Sequence, residues 1–426
     1  MQLTPQGRGS ALRQRLSTAA CVLLASTTAG AARAQVTTSG GVTPTTQIDA
    51  STLVYSERQR TTIYEPTVRV TRLFANRQSL SATFGIDAMT GASPTGAAPR
   101  QVTQTTTSAS GTVTTTPAGE LPTRDFRDVR GSLDLGWTVP VGTLFTGTTG
   151  GHLSKERDYQ STGWNGSASL DVFHRRLTLT AGGGFNWDRV DPVGGTAVPF
   201  TENVIASTSP NDKRVASAMV GATQVVTRRW LLGVNGTWTR ENGYLTEPYK
   251  VLSELDPVTG LTARELRERR PATRTRRDVL LNSAYDFDKD VLYTSARYYW
   301  DDWRIRSMAL DFRYRHELSD GTFLQPHVRL YGQTAASFHR FNLLAGNPLP
   351  AFASSDERLG ALRSLTLGAT YGFRVPRTPG EFSVRAEWLH QWGDARNAHA
   401  PGIEATLNQF PPLDAGSLVL GWTIGL

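Results

Sequence analysis

Charged side chains at every second position are the chemistry this sequence offers. Met308, Leu310, Phe312 and Tyr314 alternate with Ala309, Asp311, Arg313 and Arg315, and Phe382, Val384, Ala386 and Trp388 alternate with Ser383, Arg385, Glu387 and Leu389. A period of two places successive side chains on opposite faces of a strand. A soluble sandwich would turn the charged face to bulk water and bury the apolar one; a membrane barrel turns the apolar face to lipid and the charged face to a wet lumen. The alternation assigns Asp87, Arg130, Asp134, Asp171, Asp286, Arg297, Asp311, Arg313, Arg315, Arg329, Arg374, Arg385 and Glu387 to that lumen as pore-lining residues. Most of these arginines lie late in the chain and several of the acids early. Opposed walls would set up a transverse field acting on passing solutes. The plainer outcome is pairing between neighbouring strands, Arg313 near Asp311 and Arg385 near Glu387.

Other constellations point away from catalysis and metal binding. His152, His174, His316, His327, His339, His390 and His399 show neither HxxxH nor HExxH spacing, so no zinc centre is expected. Asp301 and Asp302, set among Tyr298, Tyr299, Trp300 and Trp303 at a short hairpin, are too few and too divergent for a metal; the stretch reads as an aromatic girdle with a polar tip. Asp87 to Gly96 reads either as a loop that dips inward and narrows the lumen, or as a Gly/Pro turn ending a strand. Ser93 is no nucleophile elbow, because Thr95 stands where that turn needs glycine. Arg264 to Arg277, with Glu265 and Glu268, reads as a solvated surface loop with a short helix-forming core, its arginines available to lipopolysaccharide phosphates. No catalytic residue, cofactor or metal is assigned.

The elements that must position these charges follow a fixed rhythm. Arg8, Arg13 and Arg15 form a basic start, Leu16 to Ala32 is weakly apolar, and Ala32-Arg33-Ala34 is a small-x-small cleavage site, so residues 1–34 read as a secretory signal and 35–45 as a flexible leader. Cys21, the one cysteine, falls in the signal, which removes disulfides and thiolate chemistry from 46–426. The net charge of +8 includes the signal arginines, and no basic-aromatic block supports nucleic-acid binding. After the signal no apolar run is long enough for a membrane helix, yet a barrel needs apolar residues only at alternate positions.

Residues 46–426 repeat a strand, a tight turn, a strand and a variable loop. Short turns fall at Ala75-Asn76-Arg77, Val141-Gly142, His174-Arg175-Arg176, Thr227-Arg228-Arg229, Asp288-Lys289-Asp290, Ser319-Asp320-Gly321 and Thr378-Pro379-Gly380. Long connections fall at 91–123, 191–212, 245–274, 336–357 and 394–414, and brief ones near 57–63, 158 and 301. These fifteen connections give an all-β fold: an antiparallel transmembrane β-barrel of about sixteen strands, with short periplasmic turns and long extracellular loops. Trp137, Trp164, Trp187, Trp238, Trp300, Trp388, Trp392 and Trp422 suit interfacial girdles. Ser417 to Leu426, with Leu418, Leu420, Trp422, Ile424 and Leu426 on one face, is the closing strand and pairs with Gln47 to Tyr55. Its outward end resembles the signal read by barrel assembly machinery, with Leu426 where phenylalanine is common.

Several stretches resemble a family of uncharacterised Gram-negative outer-membrane proteins known as a domain of unknown function. They are Tyr55-Ser-Glu-Arg-Gln-Arg60 with Glu65-Pro66, Asp87 to Gly96, Asp125-Phe-Arg-Asp128, Asp191 to Gly195, Arg297 to Trp303, Leu324-Gln-Pro-His327 and Tyr331 to Arg340. The resemblance implies a barrel in the bacterial outer membrane and no assigned activity. It also implies company with a small lipoprotein, a thioredoxin-like protein and a flavin transferase. The expected function is a porin-like channel for small polar solutes or ions. The alternatives are a non-conducting scaffold for a periplasmic or lipoprotein redox partner and, more distantly, an outer-membrane enzyme. The expected partners are outer-membrane lipids, lipopolysaccharide and the assembly machinery, with no nucleic acid.

Overall fold

The alternating segments fold as strands that close into one ring. A computed structural model describes residues 43–426 except 59, 108–112, 206–210, 320, 376–379, 395–396 and 398–399. The expected signal and most of the expected leader lie outside the described residues, as do Asp320, Thr378 and Pro379 of two turns. The wall begins with β1 (Thr45–Glu57), β2 (Thr61–Leu73), β3 (Ser79–Pro94), β4 (Thr123–Val141), β5 (Phe145–Lys155) and β6 (Tyr159–Val172). It continues with β7 (Leu177–Val190), β8 (Asn211–Thr227), β9 (Trp230–Gly243), β10 (Thr273–Asp286) and β11 (Asp290–Asp301). β12 (Arg306–Ser319), β13 (Thr322–Gln333), β14 (Leu362–Arg374), β15 (Gly380–Gly393) and β16 (Leu413–Gly425) complete it. Each strand pairs antiparallel with its neighbours in order, and β16 pairs with β1 from Gln47↔Gly425 to Glu57↔Ala415. The strand number and the closing pair are those expected from the sequence.

All seven short turns lie at one end of the ring, where both β1 and β16 have their outer termini. The eight other connections lie at the opposite end and run from 58–60 and 156–158 up to 95–122, 244–272 and 334–361. This is the arrangement of an outer-membrane barrel, with short turns periplasmic and long loops extracellular. Asp87 to Gly96 is not a turn: β3 runs on through Pro94, and Gly91 (φ 147°) lets the backbone pass close to Arg60.

Apolar side chains fill the outer face because lipid, not protein, receives them. Leu135, Leu281, Leu367 and Leu420 are all exposed in mid-wall, and exposed Trp137 and Trp422 lie toward the short-turn end while Trp187, Trp238 and Trp392 lie toward the other. Two indole belts bracket an apolar band, the signature of a wall spanning a bilayer. The protein is therefore a β-barrel of the bacterial outer membrane. An arginine placed on the lipid face in mid-wall should cost about 2–4 kcal/mol and one on the lumen face far less. Urea titration of the barrel in lipid vesicles should find Leu367→Arg destabilised in that range and Thr366→Arg nearly unchanged; equal losses would contradict the assignment of faces.

Candidate functional site

The thirteen lumen assignments all alternate with exposed apolar residues and so share the inner face, where they meet neighbours on the same or an adjoining strand. Asp87 and Arg130 stand directly opposite one another on β3 and β4, with Arg130 Nε donating at 2.6 Å. Asp134 lies 2.7 Å from His152 Nδ1, Asp171 accepts from Thr178 Oγ1 at 2.6 Å, and Arg297 forks onto Asp278 at 3.0 and 3.1 Å. Arg313 Nε lies 3.2 Å from Asp311, and Arg385 Nε lies 3.7 Å from Glu387. Arg315 stacks 3.4 Å over the Phe323 ring, Arg329 faces Asp311 in register, and Arg374 lies over Gly321. Asp286 accepts from Asp288 N in a turn, at 2.8 Å. Most of these charges are paired locally. Among the described strand residues the inward carboxylates still outnumber inward lysine and arginine, through residues such as Asp49, Glu65, Asp188 and Glu241 on β1 to β9.

Sequence spacing missed the residue at the centre of the later wall. His327 is buried, with Nε2 2.8 Å from Asp311 and Nδ1 2.8 Å from Glu387. Glu387 sits on β15 and His327 on β13, so its carboxylate crosses β14. It crosses where Gly368 offers no side chain, since a Cβ there would lie 2.5 Å from Glu387 Cγ and 2.7 Å from Ala386 O. Asp311 and Glu387 were legible as lumen charges; the bridge between them depends on a glycine one strand away.

The long connections build a roof over the mouth. Val251–Leu255 pairs antiparallel with Thr262–Arg267 and parallel with Asn342–Leu344, which belongs to a different connection. The segment 244–272 then reaches the others. Ala98 N donates to Ser253 Oγ at 2.8 Å and Val251 N to Thr95 O at 2.9 Å. Arg267 N donates to Thr201 O at 2.8 Å, Arg269 pairs with Ala353, and Ile403 N donates to Thr259 O at 3.4 Å. Tyr249 hydroxyl donates to Asp158 and Arg60 bonds Glu357 at 3.1 Å. Ser337 N donates to Trp303 O at 2.9 Å. All eight connections at this end are thereby joined. Those after β3, β9 and β13 leave the ring far apart, so they meet only by crossing the mouth.

Two sequence readings fail here. Arg264 to Arg277 is neither a solvated loop nor a helix: it forms a roof strand, then returns into β10, with Glu268 fully buried. Arg264, Arg270, Arg274 and Arg276 are taken by Glu254, by Glu268 and Asp356, by Asp301 and by Glu241. The stretch from Tyr298 to Trp303 is a girdle only at Tyr298 and Trp300, which share the outer face, while its tip folds into the roof. Asp301 is buried against Arg274 and Tyr299, and Trp303 packs with Ile305, Ala336, Phe338 and Leu359. In each case one partner, Asp356 for Arg270 and Phe338 for Trp303, lies on another connection, invisible to local pattern.

Electrostatics hold the roof at one cluster. Asp356 is bonded by Arg270 at 2.8 Å and Arg358 at 2.6 Å, with Lys250 Nζ 4.0 Å away. Burial would raise its carboxyl, but Arg358, Lys250 and Arg270 outweigh that and hold it well below the usual range. Glu268, which accepts from Arg270, Ser354 Oγ and Glu247 N, is pushed up by burial in spite of those partners. Beside the roof, Asp128, Glu156 and Asp158 bring carboxylate oxygens within 4.8 Å of one another. Burial, then the charge and hydrogen bond of Asp128, push Glu156 up to about 7.

The model of a family described as "Protein of unknown function (DUF3570)" matches residues 13–423, and the chain belongs to that family. No curated protein matches. Similar solved structures include OpdK of Pseudomonas aeruginosa with vanillate, at 9% identity and TM-score 0.41 over 91% of this chain and 100% of that one. OccK3 (OpdO) of the same organism gives 8% identity and TM-score 0.40 over 90% and 96%. The siderophore receptor PirA, also from P. aeruginosa, gives 8% and 0.41 over 84% of this chain, which spans only 58% of the receptor. The likeness extends to the barrel alone.

Gly368→Ala should destabilise the barrel by about 1–3 kcal/mol, because the added methyl meets both backbone and Glu387; an unaltered urea midpoint in vesicles would contradict the crossing at β14. Glu156 sets a pH dependence. Folding raises it from 4.5 to about 7, so the folded state binds more proton between those values. Its favourable contribution is full below the lower value and lost as pH rises through the upper one. Hydrogen exchange at 156–158, corrected for intrinsic rates, should show more protection at pH 5 than at pH 8, and Glu156→Gln should remove most of that difference.

Proposed function

We propose that this family member is an outer-membrane channel for small polar solutes or ions, with a folded roof that restricts its outer mouth. The carrying observation is a closed wall of sixteen strands whose inner face bears charged, hydrogen-bonded side chains in place of an apolar filling. Barrels of this size leave room for water inside. Carboxylates in excess on the inner face favour cations over anions, since lumen charge sets selectivity at close range.

The roof supports a second reading, a barrel that conducts little and serves as scaffold for a periplasmic or lipoprotein partner. Enzymatic chemistry at His327 has little support, because both ring nitrogens face carboxylates and neither is left to activate a nucleophile.

Planar-bilayer recording on the refolded barrel separates these readings. A steady, small, cation-preferring conductance is expected for the native chain. Arg270→Ala leaves Glu268 and Asp356 buried without their shared cation, at a cost of about 3–5 kcal/mol to the roof, and should raise the conductance. Silence from both proteins, with a periplasmic protein copurifying, would overturn the channel in favour of the scaffold.

A further inference from the structure

The short-turn end carries a basic rim on one side. Turns 142–144, 173–176, 228–229 and 287–289 are successive around the ring and tied together. Arg175 Nη2 donates to Thr143 O at 2.8 Å, Val225 N to Arg176 O at 2.7 Å and Asp286 N to Arg229 O at 2.9 Å. Arg175, Arg176, Arg228 and Arg229 are all exposed. Asp288 pairs with Arg229 at 2.6 Å and Asp290 beside it is engaged by Tyr314 and His316, which leaves a net positive arc. Phe173, His174 and Arg175 each take left-handed backbone, at φ 50°, 57° and 63°. Such a run is costly for residues with side chains, yet it makes the reversal that holds two of the arginines at the rim. Apolar residues reach the same depth: Phe173 is 72% exposed, and Leu144 and Val226 are exposed beside it.

We propose that this arc binds the phosphate-bearing headgroups of anionic phospholipids in the periplasmic leaflet. The apolar side chains continue the lipid belt down to the turns, so the guanidinium groups stand at headgroup depth and not out in the periplasm. Arginine suits the role: its planar fork takes two phosphate oxygens at once while its stem lies along acyl chains. An acidic protein surface would match the charge but leave Phe173, Leu144 and Val226 in water.

Full-length barrel refolded in neutral micelles doped with equal phosphatidylglycerol and phosphatidylcholine, then purified, tests this by mass-spectrometric counting of retained lipid. Phosphatidylglycerol should be retained over phosphatidylcholine by about threefold or more. The enrichment should fall to parity in R175S/R176S/R228S/R229S and persist in R175K/R176K/R228K/R229K. If the four-serine protein does not refold, R228S/R229S should show a partial loss and R77S, in a turn outside the arc, none. Parity in the native chain, or undiminished enrichment without the arginines, would overturn the proposal. So would equal displacement of the lipid by inorganic phosphate or by polyglutamate, which would mark a site for free anions or for acidic protein.

Discussion

Lipid offers no hydrogen-bond partner, so every peptide group at membrane depth must be satisfied within the wall. The pairing of β16 with β1 meets that demand for the two strands that would otherwise be edges, and the remaining architecture depends on it. Closure alternates the connections between two ends, turns one face of every strand to acyl chains and the other to water, and fixes how far apart the connections leave the ring. A one-residue slip of β16 would exchange Leu418, Leu420 and Trp422 for Ser417, Val419 and Gly421 on the lipid face.

A wall one layer thick has no interior of its own. The largest fully buried side chains, all but Val291, lie instead in the connections: Leu252, Leu255, Leu266, Glu268, Asp356, Ser253 and Ser354 among them. The roof is thus where this protein keeps a core of the kind soluble proteins have. Its apolar part packs around a three-stranded sheet, and its polar part turns on Asp356, whose three cationic neighbours come from two connections. Removing one member of such a cluster leaves charge stranded, so its members depend on one another.

The wall was legible in the sequence because its determinants are local. Period-two alternation and turn residues located all fifteen connections, and the outward tryptophans and inward charges follow from parity alone. The roof was not legible, for the opposite reason. Ser253 meets Asn342, Glu268 shares Arg270 with Asp356, and Trp303 meets Phe338, all contacts between separate connections. A charged run such as Arg264 to Arg277 looks solvated until the distant carboxylates that bury it are in place. His327 fell between: its two acids could be placed on the inner face, but the gap at Gly368 that joins them lies on the intervening strand.

Connections leaving distant parts of the ring meet over the mouth. Ala98 N and Ser253 Oγ are 2.8 Å apart across that span, so a cross-link between these positions reports directly on the contact. Oxidation of A98C/S253C in the folded, membrane-inserted barrel should cross-link the pair in high yield and lower any conductance the barrel shows. If the two thiols stay free while a cross-strand control pair in the wall, T46C/R72C, oxidises readily, the mouth is open and the roof does not exist as described.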